Sequence, residues 1–141
     1  MSFVKDNNIA GKCIVSGFSG PEEGFTWTDG HRAELMIPVA VSEDDLDLVF
    51  HAGGFNRDRG FNGDQKSIFN IDGDKLETIT VGKEGEYRIR IPAKYTEDGA
   101  INIVIDLPDA ESPFNAGISE DKRVLGVRFI DMKLVAHDEE G

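Results

Sequence analysis

Apolar and polar residues alternate along most of this chain with a period of two. "RAELMIP" sets Ala33, Leu35 and Ile37 on one side and Arg32, Glu34 and Met36 on the other. "DLDLVF" points Leu46, Leu48 and Phe50 one way, and "EYRIRIP" points Tyr87, Ile89 and Ile91 inward with Arg88 and Arg90 outward. "AINIVIDL" aligns Ile101, Ile103, Ile105 and Leu107, and "RVLGVRF" aligns Leu125, Val127 and Phe129. Successive side chains of a strand point to opposite faces, so this is the pattern of strands buried on one face. Turn dipeptides fall between the runs: Asp29-Gly30, Gly53-Gly54, Asn62-Gly63, Asp72-Gly73, Glu84-Gly85 and Asp98-Gly99. Several of them suit positive φ. The spacing predicts eight to nine strands, near 12–18, 32–38, 46–52, 66–71, 75–81, 86–92, 100–107 and 123–135, with a short one near 25–28. "FNIDGDKLETITV" reads as a hairpin about Asp72-Gly73, with Asp74 and Lys75 completing the turn. Helix is confined to single turns, in "PAKYTEDG" and "SEDDL". Short strands recurring between turns predict an all-β fold, an antiparallel β-sandwich of jelly-roll-like form.

The 141 residues are expected to form a single β-sandwich domain with an ordered core from about 12 to 135. A chain of this size hides roughly two thirds of its unfolded surface and needs no covalent staple. Cys13 is the lone cysteine, so an intramolecular disulfide and a thiolate zinc site are both excluded; in "KCIVSGF" it reads as a small buried hydrophobe. The 15 basic and 27 acidic residues leave a net charge of −12, which repels phosphate backbones and anionic lipid. Nucleic acid is therefore not expected as a partner. No apolar run long enough to span a bilayer occurs, and "MSFVKDNNIAGK" lacks the apolar stretch of a signal peptide. No membrane insertion by this chain is expected, with the cytoplasm and the cell envelope both open as locations.

Catalytic motifs are missing. There is no G-x-S-x-G elbow, phosphate loop or dinucleotide fingerprint, and His31, His51 and His137 form no metal pair. Acid pairs such as Glu22-Glu23 and Asp44-Asp45 are what an acidic chain produces by chance. No catalytic residue, metal ligand or cofactor is expected. "NIDGDK" has a superficial likeness to a calcium loop but fails the EF-hand spacing; structural calcium is the weaker alternative to a plain hairpin there. Carbohydrate binding calls on other residues, with rings stacked on sugar faces and acids, amides and arginines bonded to hydroxyls. "GFSGPEEGFTWTDG" offers Glu22, Trp27 and Asp29 for this. Trp27 is either a sugar platform or a plug at one end of the sandwich, its indole N–H taken up by a turn carbonyl. "HAGGFNRDRGFNGDQK" at 51–66 offers Phe55, Asn56 and Arg57, with Phe61, Arg59 and Asn62 nearby. It reads as a polar-ligand loop or as a mobile hairpin tip. The irregular stretch 108–122 leads to Arg123, and loops of that length in compact domains tend to be functional or to cover an edge.

The order of these motifs resembles a known family. Gly17-Phe18-Ser19 with Pro21-Glu22, then Trp27-Thr28-Asp29-Gly30, then Ile71-Asp72-Gly73, then Pro108, Ala110, Ser112-Pro113, Gly117, Ser119, Asp121, Arg123 and Leu125-Gly126 follow one another across about 12–135. Together they are similar to the jelly-roll-like, carbohydrate-binding-module-like domain attached to bacterial glycosyltransferases of cell-surface polysaccharide assembly. Asp72 stands where that pattern usually has Asn. The resemblance implies a β-sandwich, an accessory and non-catalytic role, and a glycan or a glycosyltransferase partner domain. It also implies that Trp27, Asp29 and Arg123 tie together one end of the sandwich, with Asp29 and Arg123 as a buried ion pair. This chain carries no transferase region, so the resemblance implies an excised domain or a free-standing relative. The alternative to carbohydrate recognition is a structural or protein-interaction module with no sugar ligand.

Overall fold

In the computed structural model, which describes residues 2–4 and 9–137, the alternating runs become ten strands in two antiparallel sheets. One sheet sets β1 (Ile14–Ser16), β3 (Arg32–Pro38), β9 (Ala100–Asp106), β6 (Gln65–Ile71) and β7 (Asp74–Val81) side by side in that order. The other runs β2 (Thr26–Asp29), β10 (Leu125–Ala136) and β4 (Leu46–Asn56). Along β4, residues Leu46–Ala52 also pair with β8 (Gly85–Ile91), and Phe55–Asn56 pair with the two-residue β5 (Gly60–Phe61).

The in-facing residues of each run fill the space between the sheets. Leu35, Phe69, Ile103 and Ile105 from one sheet meet Leu48, Phe50, Ile89 and Phe129 from the other, each 1% exposed or less. Burying one such side chain is worth about 1.5–3 kcal/mol, so the period-two pattern is itself the main stabilising term. A ring stack runs through the centre, with Phe50 5.6 Å from both Phe69 and Phe129 and Phe3 5.5 Å from Phe129. Phe3 lies ahead of the expected ordered core yet is fully buried, and its N–H donates to the carbonyl of Ile130 at 2.8 Å.

Three local features depart from the sequence expectation. The β6–β7 turn needs only Asp72 (φ 50°) and Gly73 (φ 91°), the two-residue geometry that matches strand twist; Asp74 and Lys75 already belong to β7. "SEDDL" makes no helical turn, because the Ser42 hydroxyl donates to the carbonyl of Asp44 (2.7 Å) and accepts from its N–H (3.1 Å). Such side-chain bonds compete with helix. The turn in "PAKYTEDG" does form, as a 3-10 turn at Ala93–Thr96, and a second one spans Ile9–Lys12. Among the described residues no helix is long and apolar enough to cross a membrane. The third departure is β4, which runs through Gly53-Gly54 to Asn56 instead of stopping near 52. Both glycines are there because neighbours press on the strand: a Cβ on Gly54 would strike the carbonyls of Val81 and Gly63, and one on Gly53 would strike the guanidinium of Arg128.

Candidate functional site

The outward face of the β2–β10–β4 sheet carries the candidate site at the end where β10 begins and β4 finishes. Cross-strand pairing sets Trp27 of β2 and Gly53 of β4 on either side of Arg128 of β10. The register of β10 against β2 shifts between Leu125 and Arg128. Leu125 consequently packs with Trp27 and Phe55, separate from the central cluster of Val127 and Phe129. The stretch 17–30 folds back on itself to reach this point. Ser19 N–H donates to Trp27 O (2.9 Å), Asp29 N–H to Gly17 O (2.8 Å) and Glu22 N–H to Phe25 O (2.8 Å).

Trp27 is 3% exposed. It meets Phe25 and Phe55 edge-on at 5.8 and 6.4 Å and Phe61 at 5.8 Å. The Arg128 guanidinium lies 5.6 Å from its ring centre, within the range of a cation–π contact. Among the described residues no carbonyl accepts from the indole N–H, in contrast to the expected turn partner. Beside these rings opens a cleft of about 390 Å³, lined by Glu22, Phe25, Trp27, Phe61, Asp121, Arg123, Leu125 and Arg128. Its size falls in the range of small-ligand sites.

Two guanidinium groups border the cleft. Arg123 donates to both carboxylate oxygens of Asp121 (3.1 and 2.8 Å) and to Ser19 Oγ (3.1 Å), with Glu22 Oε2 at 3.8 Å. The bonds from Arg123 hold the Asp121 carboxyl below the usual aspartate range. Glu22 Oε2 is buried and takes part in no hydrogen bond. Arg128 donates to Asn62 Oδ1, to Glu84 Oε1 (3.4 Å) and at long range to Gly54 O (3.5 Å).

Of the residues singled out from sequence, Glu22, Trp27 and Arg123 line this cleft and four do not. Asp29 does not pair with Arg123. Its Oδ1 accepts from the Val124 N–H at 3.0 Å, and Asp121, two residues from Arg123, takes the guanidinium instead. Nor is Arg123 buried, its side chain being 32% exposed. Phe55 is fully buried beneath Phe61 and Trp27, so the ring that this loop presents to solvent is Phe61, 57% exposed. Asn56 is spent within its own turn, accepting from Arg59 N–H (2.7 Å) and donating to Asp64 O (3.0 Å). Arg57 pairs with the Glu111 carboxylate and bonds Asn115 O at 3.3 Å, tying the 57–63 loop to the 111–119 loop. Phe25, Asp121, Leu125 and Arg128 are lining residues that the sequence did not offer as ligand contacts, and Phe61 was offered only as a neighbour within its loop. For Arg128 the signal was present: it sits out of phase with Val127 and Phe129, which puts it on the outward face.

The far end of the same face is polar. Asp47, 4% exposed, accepts from Arg88 (2.9 Å) and pairs with His137 Nδ1 (2.8 Å). Arg90 pairs with Asp45 (2.8 Å), and His51 with Asp131 (2.8 Å). On the other sheet the acids of "NIDGDK" have protein partners, Asp72 Oδ1 accepting from Asn102 N–H and Asp74 Oδ2 from the Tyr95 hydroxyl, both at 2.9 Å. Among the described residues no three acid, histidine or cysteine side chains gather as a metal site would.

No family model matches the chain, and no curated protein matches it in sequence. Solved structures do share its architecture. A GH115 4-O-methyl-α-glucuronidase, BtGH115A, with specificity for decorated arabinogalactans superimposes with a TM-score of 0.54 at 13% identity, covering 89% of this chain. This chain spans only 16% of that enzyme's length. A CBM4 structure gives a TM-score of 0.52 at 12% identity, covering 94% of this chain and 82% of its own. A carbohydrate-binding module, CBM36, solved with calcium and xylotriose gives 0.49 at 13% identity, covering 89% and 95%. At these identities the likeness is one of fold: the chain has the two-sheet β-sandwich of carbohydrate-binding modules.

Proposed function

We propose that this chain is a non-catalytic carbohydrate-recognition module that binds glycan in the cleft beside Trp27. The observation that carries the reading is the cleft itself, where an apolar floor of Phe25, Trp27, Phe61 and Leu125 is bordered by Glu22, Asp121, Arg123 and Arg128. Rings offer a surface to the C–H faces of a sugar, and carboxylates and guanidinium groups bond its hydroxyls. Trp27 is too buried to be the platform, so Phe61 takes that part and Trp27 supports it from below. The Glu22 carboxylate, its side chain 42% exposed, offers an acceptor to a ligand hydroxyl. The sandwich shared with CBM4 supports the module reading. The motif order from Gly17 to Gly126 supports a place beside a glycosyltransferase of bacterial surface-polysaccharide assembly, with the glycan or that enzyme's domain as partner.

Amide-shift mapping during titration with a panel of oligosaccharides tests it. Shifts concentrated at Phe25, Phe61, Arg123 and Arg128 are expected. Absence of any shift with ligand in the millimolar range removes the reading in favour of a module that contacts protein alone.

A further inference from the structure

We infer that the cleft accepts the end of a glycan chain and excludes its interior. The inference rests on the glycan reading above and adds to it a ligand class, terminal residues. Two side-chain bridges border the cleft. Toward the middle of the sheet, Arg128 leaves β10, passes over Gly53 of β4, and ends on Asn62 Oδ1 and on Glu84 Oε1, 3.4 Å away in the β7–β8 turn. Only 9% of that side chain is exposed, so it lies against the strand as part of the wall. Gly53 makes room for it, since a Cβ there would stand 2.5 Å from Nη2. Behind that bar the face is occupied by the His51–Asp131 and Asp47–Arg88 pairs. Toward the opposite side, Arg123 bonds Ser19 Oγ at 3.1 Å and both oxygens of Asp121. It thereby joins the 119–123 loop to the 19–22 loop as a second bar. An extended polysaccharide lying along the face would have to displace one bar or the other. A single terminal residue, set between the two bars, would not.

The test is a length series. Mono-, di- and tetrasaccharides of glucose, xylose, mannose, galactose and N-acetylglucosamine are titrated by NMR into the whole chain. For the series that binds, affinity is expected to stay within about threefold from the shortest ligand to the tetrasaccharide, because added residues stay outside the cleft. A rise of about tenfold or more with length overturns the inference while leaving the glycan reading intact. Binding by no series overturns both. Opening the inner bar should convert the behaviour. In Gly53→Ala, whose new methyl displaces the guanidinium, and independently in Arg128→Ala, the tetrasaccharide is expected to gain over the monosaccharide. Glu84→Ala serves as a milder third variant should either of the first two fail to fold. If the folded variants stay as indifferent to length as the parent, the bar is not what closes the cleft and the inference fails.

Discussion

One face of one sheet ends in two different ways. At the β2 end, Trp27, Phe55, Phe61 and Leu125 pack together and leave a cleft beside them. At the far end, Asp47 is closed in by Arg88 and His137, and Asp45 by Arg90 and the Ala93 N–H. The same strands, β4 and β10, supply both. Rings of fixed shape set at angles of 80–89° to one another do not fill the surface they stand on. Flexible charged side chains collapse onto their partners until each is satisfied. A cleft with an apolar floor thus occurs where packing is aromatic, whereas the open space at the ion-paired end is lined by Glu43, Asp44, Asp45, Arg90 and His137, of which Asp45, Arg90 and His137 are already paired. The functional reading follows this contrast more than it follows any one residue.

The contrast can be broken from either end. Trp27→Ala should be the most damaging change, costing about 3–5 kcal/mol for loss of a buried aromatic, read as a lower urea midpoint with an unchanged slope. A cost below about 1 kcal/mol would mean that the rings stand on a floor that does not need them. Asp47→Ala removes the acceptor shared by Arg88 and His137. It should cost about 1.5–3 kcal/mol, as for bonds to a charged group, and leave glycan shifts at Phe61 and Arg128 unaltered. Phe61→Ala is the converse: with more than half of the side chain in water, stability should change by less than about 1 kcal/mol. Ligand binding in the same titration should be lost. Equal binding by Phe61→Ala and the parent would move the ligand off this end of the sheet.

The smallest effect concerns pH and acts at both ends of the face. Asp45 is held below the ordinary aspartate value by the Ala93 N–H and then by Arg90, and Asp121 is held below it by Arg123. A carboxyl depressed in the folded state contributes stability above its unfolded pKa, and this is lost as pH falls through the lower folded value. The contributions of these two carboxylates should therefore be constant from neutrality to about 5 and fall away below about 4. Side-chain carboxyl carbon shifts of the two aspartates, followed from pH 6 to 2, report this directly. An Asp121 midpoint at or above that of a free aspartate would show that the Arg123 border of the cleft is not held as described.

Much of the sandwich was legible because its signal is periodic. The alternating runs, from Arg32–Pro38 to Val127–Phe129, send their apolar sets into the space between the sheets, and Leu125 departs from its run because the register shift turns it to the outward face. What stayed hidden depends on contacts that no local pattern encodes. "HAGGFN" reads as a loop since glycine is poor in strands, but here each glycine answers a distant atom, Arg128 at Gly53 and Val81 at Gly54. Arg123 and Asp29 stand in the right motifs and still do not pair, because Asp121 reaches the guanidinium first along the chain. The cleft had three legible ingredients, Glu22, Trp27 and Arg123. Its platform ring could not be chosen between Phe55 and Phe61 without knowing that β5 folds Phe61 over Phe55.

The position of β10 has a consequence for how the molecule is made. This strand follows the other nine in the chain yet lies between β2 and β4 in the sheet. Until residues 125–136 have left the ribosome, β2 and β4 each offer an unpaired backbone edge, and Trp27 lacks its neighbours Leu125 and Arg128. Pairing across such sequence distances is slow, and bare strand edges invite pairing with other chains. A nascent chain stalled before β10 would thus be a species for chaperones to shield, and the cleft would be the last part of the sandwich to exist.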